Sequence, residues 1–293
     1  MTFIVTLFVQ VLMIMFMASD VCAALIPPFF FDCVVAIGSR NPDSTINWGG
    51  TGFLIGKFVK VMENDQKRYT IYLVTNKHVL KDKKSMVVRF NPRSNEPARD
   101  FNAPVVNKDG NIIWTGHPVD SIDVAVIPIN VNLLKEQQMR FNYFRSDEHV
   151  LNIAQMSNKG MTEGDFIYVL GFPMGIVDPA RQYVISRSGS IARIRDVLDK
   201  HGSEIIVDAF VFPGNSGGPV ISKPEVIGIG GTKVVSSAYL IGIVKEYIPY
   251  RDIAVSLQTK RPRIVFEENS GLAAIIPTDY ILETIETAEK GIH

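Results

Sequence analysis

The sequence predicts an all-β protein: two antiparallel β units with a helix at the C-terminal end. After residue 30 the chain is mostly short, β-branched runs bounded by turn residues, the pattern of strands. A polar stretch over residues 145–164 divides these runs into two groups. No amphipathic helix stands between strands, as a doubly wound α/β fold would require. Only the tail has helical periodicity. Pro277-Thr278-Asp279 offers a start, Ile281, Leu282 and Ile285 share one face, and Glu283, Glu286 and Glu289 lie largely off it.

Along the chain, residues 1–24 come first. From Phe3 to Met17 the sequence is apolar and uncharged, with only Thr6 and Gln10 polar, and small residues follow. This run is shorter than the about 20 residues of a membrane span and fits the core of an export signal, with a short uncleaved anchor as the alternative. An extracytoplasmic protein, secreted or periplasmic, is expected; contact with a membrane is expected only if that segment stays as an anchor. If Cys22 leaves with the signal, Cys33 remains alone as a small buried thiol.

The first β unit is expected over residues 31–145. Its strands are read at Cys33–Ile37, Thr51–Ile55, Tyr69–Val74, Met86–Phe90 and Val124–Ile129. The second unit is expected over 146–290, with strands at Phe166–Leu170, Tyr183–Ile185, Glu204–Val211, Pro219–Ile221, Val226–Ile229 and Tyr239–Val244, and the helix at 278–290. Residues 91–102 and 142–164 read as surface loops.

Composition excludes several functions. Apolar residues make up 46% and charged residues 20%, so a folded core is expected rather than a disordered chain. Thirty basic side chains balance thirty acidic ones, which gives no electrostatic footprint for nucleic acid. The clusters at Lys81, Lys83, Lys84 and at Lys260, Arg261, Arg263 are short enough to be solvated loops. There is no H-E-x-x-H and no paired cysteine motif, so neither a metal nor a cofactor is expected. The GIGG at 228–231 lacks the third glycine of a dinucleotide loop.

One stretch carries chemistry. FPGNSGGPVI at 212–221 sets Ser216 among three glycines and two prolines, a tight non-helical turn that displays one hydroxyl. A serine needs a neighbouring base to act as a nucleophile. Of the five histidines, His78 follows the strand-like IYLVT, whereas His117, His149 and His201 sit among charged or turn residues and are expected to be exposed, and His293 is the last residue. The carboxylate that orients such a base belongs at a buried strand end. Asp123, immediately before Val-Ala-Val-Ile, fits best, with Asp120 as the fallback. Glycines around Ser216 leave the N–H groups of Gly214 and Ser216 free to face an oxyanion.

The segments TGFLIG at 51–56, LVTNKHVL at 73–80, SIDVAVIPI at 121–129 and PGNSGGPV at 213–220 together resemble the trypsin-like serine peptidases. The resemblance extends over about residues 33–290, and VLGFP at 169–173 with GLAAIIPTD at 271–279 is similar to the bacterial Deg-type branch. It implies two six-stranded antiparallel barrels with the site between them. It also implies an endopeptidase acting on polypeptide substrates through an acyl-enzyme, with His78 as base, Asp123 as its orienter and Ser216 as nucleophile. Gly214 and Ser216 would form the oxyanion hole.

Three departures refine this expectation. Asn215 stands where digestive members have an aspartate that pairs with a new N-terminus, so activation by that route is not expected. Phe210, six residues before the serine, stands where trypsin has its substrate-binding acid, and predicts a small or aliphatic P1 residue rather than Lys or Arg. The chain after Ser216 is expected to complete the second barrel, without the PDZ domain usual in Deg-type proteases. Two other readings stand beside this one. G-x-S-x-G also marks α/β-hydrolases, but Pro219 and the β-branched run after it oppose the required helix. A catalytically silent or partner-activated binding module of the same fold is the alternative function.

Overall fold

The computed structural model describes residues 25–225, 233 and 235–291. The segment 1–24, the strand expected at 226–229, the GIGG stretch and His293 lie outside them.

The fold class is as expected: mostly β, in two units, with a C-terminal helix. The first unit contains β1 (Val34–Arg40), β2 (Ile46–Val61), β3 (Lys67–Thr75), β4 (Ser85–Pro92), β5 (Arg99–Pro104), β6 (Thr115–Gly116), β7 (Ala125–Pro128), β8 (Met139–Arg140) and β9 (Phe144–Arg145). They form a nine-stranded sheet in the order β5-β4-β1-β2-β3-β7-β6, with β8 on β4 and β9 parallel to β2. The second unit contains β10 (Phe166–Gly171), β11 (Ile185–Arg193), β12 (Ile205–Asp208), β13 (Pro219–Ser222), β14 (Leu240–Val255) and β15 (Pro262–Pro277). These six close into a barrel in the order β10-β11-β12-β15-β14-β13. The first unit is thus an open sheet in its hydrogen bonding, because its path ends at β5 and β6, which do not pair with each other, while β8 and β9 add short rungs off that path.

Among the described residues five α-helices punctuate the strands: α1 (Lys77–Leu80), α2 (Val131–Glu136), α3 (Ile153–Lys159), α4 (Arg195–Leu198) and α5 (Thr278–Lys290). α3 falls in the stretch expected to be loop. Its start is a capping box, Asn152 accepting the N–H of Gln155 at 2.8 Å and the Gln155 side chain accepting the N–H of Asn152 at 2.9 Å. Gly160 ends it with φ +74°.

Each unit has its own apolar core. Val35, Ile37, Leu54 and Leu73 fill the first, and Val169, Ile191, Val207 and Ile241 the second. A third cluster joins them: Phe53, Phe144 and Val126 from the first unit, Leu170, Ile221 and Ile276 from the second, and Ile281 and Ile285 of α5. α5 therefore acts as a strap across both halves. Its N-terminus is fixed by Thr278, whose hydroxyl donates to the Leu151 carbonyl, and by Asp279, which accepts the Ile153 N–H at 2.7 Å. Cys33 is fully buried, and burial pushes its thiol well up, so it packs as a small apolar residue.

Candidate active site

β3 ends at Thr75, and the next residues turn into the short α1. Val79 and Leu80 of that turn are buried and fix its orientation, which leaves the His78 side chain half exposed. On the neighbouring strand, the residues before β7 bring Asp123 up to it. The His78 ring Nδ1 lies 2.5 Å from Asp123 Oδ2, and the His78 backbone N–H donates to Asp123 Oδ1 at 3.1 Å. Both carboxylate oxygens are engaged by one residue. Burial pushes the Asp123 carboxyl up, but the His78 ring and the N–H groups of His78 and Lys77 outweigh it and hold the group below its ordinary range. The fallback, Asp120, is exposed and offers its backbone carbonyl to Lys77 at 3.5 Å.

Asn76 was not anticipated. It is fully buried, and its side-chain amide donates to the Asp123 carbonyl at 2.6 Å, setting the backbone that carries the carboxylate.

The Ser216 turn is held by the other unit. Thr51, on β2, donates its hydroxyl to the Gly214 carbonyl at 2.6 Å and its backbone N–H to the Ser216 carbonyl at 2.9 Å. The same hydroxyl accepts the Phe172 N–H at 3.1 Å. The Thr51 carbonyl in turn accepts the Thr75 hydroxyl at 2.8 Å, and Thr75 stands three residues before His78. One fully buried threonine thus ties the serine turn to the strand end that carries the histidine. TGFLIG contains this residue, but nothing local in that motif announces partners more than 160 residues away.

Within the turn, Gly214 has φ +98° and Gly217 φ +84°. A Cβ at Gly214 would lie 2.3 Å from the Phe172 carbonyl oxygen, and one at Gly217 2.1 Å from that of Thr51. Both positions require glycine for its conformation and for close approach. The Pro213 carbonyl accepts the Met174 N–H at 2.6 Å. Across a trans peptide the Gly214 N–H points the opposite way, and neither it nor the Ser216 N–H donates to an acceptor among the described residues. Asn215 closes the turn from inside. Its backbone N–H donates to the Phe212 carbonyl at 2.9 Å and its Oδ1 accepts the Phe212 N–H at 3.1 Å. β14 clips the far side, the Gly217 N–H donating to the Val244 carbonyl at 3.0 Å and the Val244 N–H to the Gly218 carbonyl at 2.9 Å.

A cleft of about 810 Å³ opens beside His78 and Asp123, with Leu80 and Trp114 among its apolar walls and Lys83 and Lys245 on its rim. Phe210 is half exposed and stands over Gly271 of β15. Arg187 lies over the Phe212 ring at 5.4 Å.

The remaining histidines differ from expectation in two cases. His117 is buried, because α5 covers its loop: its Nε2 lies 3.0 Å from Glu283 and its ring packs on Tyr280. His149 is partly buried against Phe29 and Phe30, with ring centroids 5.0 and 5.6 Å away, and burial, then the Arg145 charge, push its pKa down. His201 is exposed as expected.

Residues 50–229 match the trypsin-like peptidase domain. This span covers well over half of the chain and includes β2, α1, Asp123 and the Ser216 turn, and the protein belongs to that family of serine peptidases. Polypeptides are accordingly its substrates.

Proposed function

We propose that the protein is a serine endopeptidase in which His78, Asp123 and Ser216 form the triad and the N–H groups of Gly214 and Ser216 the oxyanion hole. The observation that carries this reading is the double engagement of Asp123 by the ring and backbone of His78, at the strand junction to which Thr51 binds the Ser216 turn.

His78 takes the Ser216 hydroxyl proton as the oxygen attacks the scissile carbonyl carbon. The negative oxygen that forms is met by the two N–H groups, and Asp123 stabilises the imidazolium. Collapse breaks the C–N bond, His78 returns its proton to the departing amine, and an acyl ester on Ser216 remains. Water, deprotonated by the same histidine, releases the acid and restores the serine.

The site favours a small or aliphatic P1 residue over Lys or Arg. Phe210 places an aromatic ring rather than an acid six residues before the serine, and the Arg187 cation over Phe212 adds charge of the wrong sign. Asn215 holds its own turn by two bonds to Phe212, which supports a site that needs no newly cut N-terminus. By its motifs the protein stands nearest the Deg-type branch, acting outside the cytoplasm.

The test is labelling with a fluorophosphonate probe, run on the wild type beside Ser216→Ala and His78→Ala. Labelling of the wild type alone is expected. No labelling of any of the three would favour the silent or partner-activated module, and labelling that survives Ser216→Ala would overturn the assignment. On labelled enzyme, peptides with valine and with arginine at P1 then compare specificity, and equal cleavage would sink the P1 proposal.

A further inference from the structure

β14 and β15 run well past the barrel they help to close. β13 bonds β14 only over Leu240–Ile243, and β12 bonds β15 only over Leu272–Ile275. From Pro249–Val255 and Pro262–Asn269 the two strands bond only each other among the described residues. The result is a projecting two-stranded ribbon with two free edges. At its root the Asn269 amide donates to the Val211 carbonyl at 2.7 Å and the Ser270 hydroxyl to the Ile248 carbonyl at 2.5 Å.

An isolated two-stranded ribbon is marginal in water, and this one leaves apolar side chains open on both faces. Ile253 opposite Val265 lies on one face, and Phe266 with Ile264 on the other, all about half exposed. Leu257 at the tip is 86% exposed. Charge is segregated along its length. Residues 253–266 hold Lys260, Arg261 and Arg263 and no acid, whereas Asp252, Glu267 and Glu268 lie toward the root. Among the described residues none of those three cations has an acidic partner within 4 Å.

We propose that the ribbon is a homotypic interface, in which two copies pair their β15 edges antiparallel about a twofold axis. Two features select a second copy over other occupants, and a third selects which edge pairs. Free backbone edges are completed by another strand, whereas lipid leaves open edges unsatisfied. A basic tip and an acidic root are complementary only when two ribbons run in opposite directions. The β15 edge from Arg263 to Asn269 contains no proline, whereas Pro249 interrupts β14.

A twofold also restricts the register, since each residue must face one on the same side of the sheet. Centring the axis on Val265 sets Val265 against its own copy, Ile264 against the partner copy's Phe266, and Arg263 against the partner copy's Glu267. Each pairing is favourable across strands, and the contact is isologous and closes at two. Glu267 already accepts from Arg251 and Tyr247 through its two oxygens, and its side chain is still 39% exposed, so Arg263 would add to an existing ion pair. The inference does not depend on the peptidase reading.

The test uses the mature chain carrying Ser216→Ala, which removes self-cleavage as a variable, in sedimentation equilibrium. A dimer is expected. Arg263→Glu should raise its dissociation constant at least tenfold, and Phe266→Lys should abolish it. Under copper–phenanthroline oxidation Val265→Cys should cross-link to a dimer and Leu257→Cys should not; Cys33 is buried and takes no part. A monomer at micromolar concentration would overturn the proposal, as would a dimer indifferent to both edge substitutions. A monomer that sediments with phosphatidylserine vesicles would overturn it in favour of a lipid surface.

Discussion

At the scale of single residues, the His78–Asp123 contact makes a direct prediction for the proposed triad. In Asp123→Asn the backbone contact can persist, but the amide no longer stabilises the imidazolium or selects the ring tautomer. Turnover should fall about 10⁴-fold, the loss seen for that change in the template triad of this family, with circular dichroism unchanged. Thr51→Val removes a hydroxyl with two buried partners, the Gly214 carbonyl and the Phe172 N–H. Leaving them unpaired should cost about 2 kcal/mol or more, read as a lower urea midpoint. The rate of fluorophosphonate labelling should fall with it, and Thr51→Ser should restore both. Gly214→Val should slow turnover roughly 100-fold, as loss of one oxyanion donor does; near-normal turnover would remove Gly214 from the site.

The candidate residues were legible because each sits in a local pattern that reports its setting. Ser216 lies in a glycine turn, His78 after a buried strand and Asp123 before one. Thr51 and Asn76 were not legible, since what they do depends on partners brought close only by folding. His117 misled for the same reason: nothing around Gly116 and Pro118 reports that Glu283 and Tyr280 will cover it.

Among elements, the turn before β10 and the start of α4 are joined by Glu163. Its carboxylate accepts the N–H groups of Ile194 and Arg195, each at 3.2 Å, and the Arg195 guanidinium at 3.0 Å. Burial opposes the charge, yet the backbone N–H groups of Glu163 itself, Ile194 and Arg195, with the Thr162 hydroxyl, hold the group down to about 2 from an ordinary 4.5. Glu148 is likewise held at about 2 by Lys67 and Arg145. A depressed carboxyl contributes its full stability above the unfolded value and loses it as pH falls through the folded one. Unfolding free energy should therefore decline between about pH 4.5 and 2, and Glu163→Gln should shrink that decline. Urea titrations at pH 5 and 2.5 measure both. Element boundaries were read less well than element type. β14 was anticipated only to Val244, because Pro249 and the charges after Lys245 break the alternation that marks a half-buried strand. α3 was readable from Asn152 and Gln155, but its single buried residue, Met156, left no apolar stripe to find.

For the whole molecule, the cluster that contains Ile281 and Ile285 joins the two units and should make them unfold as one cooperative body. Ile285→Ala should cost about 2–5 kcal/mol. Because α5 packs on both halves, tryptophan fluorescence, which reports Trp48 and Trp114 of the first unit, and far-UV dichroism should still lose signal in one coincident transition. Separate transitions would mean that α5 belongs to one half alone.

The reach of Thr51 across the two units also sets when, during synthesis, the protein can begin to act. A ribosome delivers His78 and Asp123 first, and the Ser216 turn afterwards. Even then the turn has its shape only once β14 has come round to clip Gly217 and α5 has drawn the halves together. On the proposed triad, a growing chain therefore carries every chemical group of the site before it carries the site, and it should be unable to cut itself or its neighbours until α5 has been made.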